Sequence, residues 1–170
     1  MKQNRAILFA VSLAVAVLSV VLYSACNKNK CHNVLCLNKG VCDGGNCVCP
    51  VGFEGPRCES LSRDKFIFTY RGGDTCGADP SSMHYTPYQI HLLAVLHDSL
   101  EMTMKNFINN MEDSAICTIQ STDSFTFQGA NNSTTYYGWG KLSNDSLWLR
   151  YHVVHDTTSY DCSYFGQSLR

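Results

Sequence analysis

Residues 31–58 read CHNVLCLNKGVCDGGNCVCPVGFEGPRC, and this stretch decides the fold of the N-terminal part. Six of the chain's 10 cysteines fall within it: Cys31, Cys36, Cys42, Cys47, Cys49 and Cys58, separated by four, five, four, one and eight residues. About 30 residues cannot bury enough apolar surface to offset their own ordering entropy. Cross-links must supply the difference, and each disulfide contributes typically about 2–4 kcal/mol. A reducing cytosol would defeat such a frame, so the chain reads as exported. Asp43-Gly44-Gly45-Asn46 provides turn residues for a hairpin between Cys42 and Cys47. A zinc knuckle is the other use for so many thiols, but the Cys47-Val48-Cys49 pair and the Gly52, Phe53 and Gly55 tail fit a disulfide frame better, and no metal is expected. Spacing alone leaves the pairing open.

The run Cys47-Val48-Cys49-Pro50-Val51-Gly52-Phe53-Glu54-Gly55-Pro56-Arg57-Cys58 resembles the signature of EGF-like domains, over residues 27–60. The resemblance implies bridges from Cys31 to Cys42, Cys36 to Cys47 and Cys49 to Cys58. Many members of that family bind calcium through acidic and amide residues just before the first cysteine. Here Asn27-Lys28-Asn29-Lys30 stands in that place, and two lysines repel a cation, so no calcium is expected. The family's O-fucose acceptor position holds Val41, and its O-glucose serine is missing from His32-Asn33-Val34-Leu35. What remains is a rigid spacer or a general contact module.

Toward the N-terminus, Lys2 and Arg5 precede a run from Ala6 to Tyr23 that is apolar apart from Ser12 and Ser19. Residues 1–25 have the plan of a signal peptide. Leu22-Tyr23-Ser24-Ala25-Cys26 resembles the lipobox of bacterial lipoproteins, with the leucine one place early. That resemblance implies cleavage before Cys26 and lipidation of its thiol and amine. Removing residues 1–25 takes two bases and no acid from a chain of net charge −1, which leaves 145 residues at −3. Two or more acyl chains make a stable anchor, each buried methylene adding about 0.8 kcal/mol. The 18-residue apolar run also reaches the short edge of a bilayer span, so a single-pass signal anchor is the alternative. In both, the basic end starts on the cytoplasmic side and everything after Cys26 faces outward, at the outer membrane or cell surface.

Toward the C-terminus, beyond a linker around Glu59 to Asp64, the pattern changes to alternating aromatic and β-branched residues with turn residues at intervals of about ten. Phe66, Phe68 and Tyr70 are expected on one face of a first strand, and Tyr88, Ile90, Leu92, Ala94 and Leu96 on one face of a second. Leu100, Met102 and Met104 follow, then segments 116–120, 124–128 and 135–142. Leu147, Leu149, Tyr151 and Val153 form an inward face against outward Trp148 and Arg150, and 160–166 closes the chain. Eight strands over residues 62–170 make the chain mainly β, with an antiparallel meander curling into a barrel or sandwich after the disulfide-rich module. Gly72, Gly73, Gly138 and Gly140 read as turns or strand bends. The layout resembles the lipocalin-like β domains of Gram-negative surface lipoproteins, through Cys76, Asn106-Phe107 and Cys162. It implies a bridge between Cys76 and Cys162, leaving Cys117 as a buried thiol; a bridge from Cys76 to Cys117 stays open.

Near-neutral charge, 13 Lys and Arg against 14 Asp and Glu, argues against nucleic-acid binding, and 45% hydrophobic with 16% charged residues excludes a disordered chain. His152 and His155 lie three apart and would point to opposite faces of a strand; His84, His91 and His97 are spaced by seven and six, so His91 and His97 share a face only if the strand between them stays regular, and exposed strand histidines are the simpler reading. No phosphate loop, nucleophile elbow or His-Glu-x-x-His run occurs. No enzymatic activity and no cofactor are expected. The reading is a membrane-anchored, outward-facing binding protein whose partner is an extracellular protein, a glycan or a small apolar ligand, the last held by Tyr88, Ile90, Leu92 and Tyr151 inside the barrel. A structural spacer is the alternative, and an enzyme of unrecognised type the weakest of the readings.

Overall fold

The structure, a computed structural model, describes residues 15–19, 30–77, 87–110, 113–131 and 133–170. Most of residues 1–25, read as a signal peptide, together with Cys26 and His84, lie outside the described residues. Residues 15–19 are helical with exposed side chains.

In the N-terminal module, β1 (Val41–Asp43) and β2 (Asn46–Val48) form an antiparallel hairpin whose turn glycines, Gly44 and Gly45, have φ of 57° and 99°. Residues with a Cβ resist that left-handed conformation, which is why the turn is Gly-Gly. A second small pair joins β3 (Phe53–Glu54) to β4 (Ser60–Leu61). Disulfides join Cys31 to Cys42, Cys36 to Cys47 and Cys49 to Cys58, and Cys58 is fully buried.

The segment around 59–64 is not an open linker. Ser60 and Leu61 pair with β3, and Ser62–Lys65 turn once as a 3-10 helix. The amide of Ser62 donates to the Gly52 carbonyl at 2.9 Å, and the Lys65 ammonium meets the Glu54 carboxylate at 2.6 Å. Gly52 lies so close to the Leu100 side chain that a Cβ there would collide with it. Arg63 donates from Nη1 to the carbonyls of Val95, Asp98 and Glu101, and Asp98 Oδ1 in turn accepts from the amides of Leu100 and Glu101. Backbone carbonyls need partners wherever water is excluded, and one guanidinium satisfies three of them.

Eight further strands close an antiparallel barrel: β5 (Thr69–Cys76), β6 (Tyr88–Ala94), β7 (Glu101–Lys105), β8 (Ser114–Ile119), β9 (Ser124–Asn131), β10 (Thr134–Ser143), β11 (Ser146–His155) and β12 (Thr158–Ser168). Each pairs with the next in sequence, and β12 returns to pair with β5, so among the described residues the barrel itself has no edge strand. The closing pair is cross-linked by Cys76–Cys162, which stand opposite each other in register.

Alternation places Tyr70, Tyr88, Ile90, Leu92, Met102, Met104, Phe125, Phe127, Tyr136, Leu147, Leu149, Tyr151, Val153 and Tyr164 in one buried cluster. The first inward residue, Phe66, comes from the end of the 3-10 turn and not from a strand: β5 starts at Thr69, and the Phe66 ring meets Phe125 edge-on at 5.4 Å inside the barrel. Phe68 is only partly buried, under the Arg170 guanidinium 4.7 Å away. Ala94 and Leu96 are exposed, Leu96 by 83%, because β6 ends at Ala94 and the chain turns into the loop gripped by Arg63. Phe107, between β7 and β8, enters the interior against Tyr136 and Tyr151, both at 4.8 Å. Gly72, Gly73, Gly138 and Gly140 lie within β5 and β10 and not in turns. A Cβ on Gly140 would strike the Phe125 ring, so its missing side chain makes room for a ring on the neighbouring strand, whereas one on Gly138 would strike the Arg150 carbonyl oxygen, a close approach of the β10 and β11 backbones.

Candidate functional site

Residues between the inward ones on β10, β11, β12 and β5 face outward, and the register gathers them into rows. Tyr137 stands opposite His152 and His152 opposite Asp161; Trp139 opposite Arg150, then Ser163 and Thr75; Lys141 opposite Trp148, then Phe165 and Gly73. Trp139, Trp148, Tyr137 and Phe165 are 46%, 50%, 55% and 37% exposed, an unusual amount of ring surface for one face of a small barrel. The Trp148 and Phe165 rings touch with centroids 4.4 Å apart, and those of Tyr137 and His152 lie 5.5 Å apart. Two adjoining hollows of about 600 and 470 Å³, open to solvent, lie on this face and share Thr75, Trp139, Arg150 and Ser163 as lining.

The polar groups on the face differ in how far they are already engaged. Lys141 pairs with Asp123 at 3.2 Å, and hydrogen bonding from Ser121 together with this lysine holds the Asp123 carboxyl below its ordinary pKa. His152 Nδ1 lies 2.9 Å from Asp161 Oδ1. Among the described residues Arg150 makes no ion pair. An unpaired guanidinium between a tryptophan and two hydroxyls offers planar donors to an anion, while the rings offer apolar and π contact.

The interior has its own polar cluster near the Cys76–Cys162 end. The Tyr88 hydroxyl donates to Asp74 Oδ2, and Tyr151 lies close enough to draw the carboxyl pKa down without completing a hydrogen bond. Burial is the larger effect and raises the Asp74 pKa; burial also pushes the Tyr88 and Tyr151 hydroxyls far above the ordinary tyrosine range.

Of the residues read from the sequence as ligand-lining, Tyr88, Ile90, Leu92 and Tyr151 all face inward and are buried, with Tyr164 5.5 Å from the Tyr88 ring and Phe107 against Tyr151. Asn106 takes a left-handed backbone and donates to the Gln89 carbonyl, which aims Phe107 inward. Cys117 is a buried thiol outside any disulfide, its pKa pushed up to about 12 by desolvation. His91 lies 2.8 Å from Thr69 Oγ1, His155 pairs with Thr134 and Asp156, and His97 is exposed in the β6–β7 turn. Among the described residues no three His, Cys, Asp or Glu side chains converge as a metal site would need. The sequence reading placed Trp148 and Arg150 outward but did not join the outward residues of neighbouring strands into rows. The signal was present in Tyr137, Trp139, Trp148 and Phe165, all at outward parity on three successive strands.

Residues 26–58 match the family model of the EGF-like domain, and the three disulfides of the module lie in that span. Comparison with curated proteins and with solved structures gives no match. An EGF-like domain with this bridge density belongs to an exported, extracellular setting, where such modules serve interaction.

Proposed function

We propose that this chain is a surface lipoprotein, cut before Cys26 and acylated there, whose lipocalin-like barrel binds an extracellular partner without chemical conversion. The observation that carries the binding reading is the outward face of β10–β12, where Trp139, Trp148 and Phe165 stay exposed beside the unpaired Arg150. A protein used only as a spacer gains nothing from ring surface held in water, whereas Trp, Tyr and Arg are the residue types that dominate recognition sites. The barrel interior is a poorer place for the partner, since Phe66, Phe107 and Phe125 bring rings into it from two connections and a strand.

The test is a screen of extracellular glycans, lipids and proteins against the mature chain, run beside the double variant Trp139→Ala, Trp148→Ala. Binding that the variant loses by tenfold or more supports the outer face; tenfold is about 1.4 kcal/mol, within reach of one buried tryptophan. Binding that is indifferent to the variant but lost on Tyr88→Phe or Ile90→Ala would move the site inside. Labelling of growing cells with palmitate tests the anchor separately: the label should appear on the protein and vanish with Cys26→Ser.

A further inference from the structure

We infer that the β1–β2 hairpin of the EGF-like module is a membrane-contacting face, laid against an anionic lipid surface by the short tether to Cys26. The inference rests on the anchoring reading above and adds to it which part of the protein meets the bilayer.

Three observations converge on that hairpin. Val41 and Val48 stand opposite each other in register and are 67% and 58% exposed, with Val51 and Leu35 exposed nearby in the chain. Exposed aliphatic pairs on so small a module offer a contact surface, because burying them against an apolar phase is favourable. Next, the Lys30 Cβ lies 3.3 Å from where a Gly45 Cβ would stand, so the chain reaches the module at the hairpin's own turn. Only four residue steps separate Lys30 from Cys26, at most about 14 Å of extended chain. Acyl chains on Cys26 would therefore hold this turn within about 14 Å of the anchor point, about two headgroup layers.

Charge supplies the third observation. Residues 26–60 hold Lys28, Lys30, Lys39 and Arg57 against Asp43, Glu54 and Glu59, with Asp43 exposed at the hairpin turn, whereas residues 61–170 hold seven bases against eleven acids. The net positive module is drawn to an anionic surface, while the acidic barrel is repelled. Glu54, an acid of the module, is engaged by Lys65 on the barrel side, and Gly52 packs against Leu100 there. The β3–β4 end thus carries the barrel and the β1–β2 end is left for the bilayer.

The experiment uses the acylated mature protein in vesicles of phosphatidylcholine and phosphatidylglycerol carrying a diazirine on the lipid acyl chain, with crosslinks mapped by mass spectrometry. Crosslinks should concentrate in residues 30–51, and Val41→Asp with Val48→Asp should reduce them about tenfold or more while acylation and the disulfide masses stay unchanged. Crosslinks spread over the barrel, or undiminished in the double variant, would overturn the inference. A second arm separates it from the anchoring reading: the Cys26→Ser mature chain, without acyl groups, should bind phosphatidylglycerol vesicles weakly and salt-sensitively, and the Val41, Val48 variant should not. If palmitate never labels the protein yet this arm holds, the anchor is wrong and the face stands. If both chains ignore vesicles, or the valine pair proves necessary for a protein partner in the absence of lipid, the face is wrong whatever the anchor.

Discussion

Asp74 is a carboxyl enclosed by Tyr88 and Tyr151 inside the barrel, and its protonation links this one residue to stability. Its folded pKa is raised, so between the ordinary carboxylate value and that raised value the native state binds a proton the unfolded chain does not. Stability therefore falls as pH rises through this window and is level above it. Asp74→Asn should remove the decline, so that the difference in unfolding free energy between variant and parent grows from pH 4 upward in urea titrations. A difference independent of pH would contradict the assignment. Cys117 supports a second expectation at this scale. A thiol with a pKa near 12 and no solvent contact holds almost no thiolate at neutral pH. It should resist iodoacetamide in the native protein and react only after denaturation, and equal native labelling would place it elsewhere.

The strands and the short turns between them show how positions legible only as a pattern become fixed. The β5–β12 pair closes the barrel and carries the Cys76–Cys162 bridge across a sequence separation of 86 residues. A loop that long gives the unfolded chain much entropy to lose, so replacing both cysteines by serine should cost about 4 kcal/mol by chain-entropy reasoning, seen as a lower urea midpoint. The module's bridges, spanning 9 to 11 residues, should each contribute less by that reasoning. The β7–β8 connection makes a further prediction. Phe107 meets Phe127, Tyr136 and Tyr151 with ring centroids 4.8 to 5.3 Å apart, so Phe107→Ala should destabilise the barrel by about 3–5 kcal/mol.

At the scale of the whole molecule, module and barrel are joined through Ser62 on Gly52, Lys65 on Glu54 and Leu100 against Gly52, and one arginine fixes the connecting turn to the barrel. Arg63 serves carbonyls at Val95, Asp98 and Glu101, three backbone groups on a loop that also packs under Gly52 of the module. Arg63→Ala leaves those acceptors to water or to nothing, and should cost about 1–3 kcal/mol. The loss should fall on the junction, so proteolysis between residues 59 and 66 should speed up while the barrel core keeps its slow hydrogen exchange. Uniform loosening of the entire barrel would show that the arginine supports the core instead.

The sequence by itself determined the disulfide module, because six cysteines with that spacing and a glycine-aromatic tail admit few folds in so short a span. It also determined the eight-stranded antiparallel meander, because the period of two in Leu147, Leu149, Tyr151 and Val153 is a local property of the chain. Tertiary structure alone decided where strands stop. Phe66 and Phe68 continue the alternation of β5 in sequence, yet a 3-10 turn held by Arg63 and Lys65 intervenes, and the forces that end the strand come from residues about 10 to 40 positions away. The reason for the glycines lay in other strands, since the Phe125 ring claims the side-chain space of Gly140 and the Arg150 backbone that of Gly138. The candidate face was half legible: parity showed which residues point out, but only register brings Trp139, Arg150, Ser163 and Thr75 into one row, and register between strands is fixed by closure of the barrel.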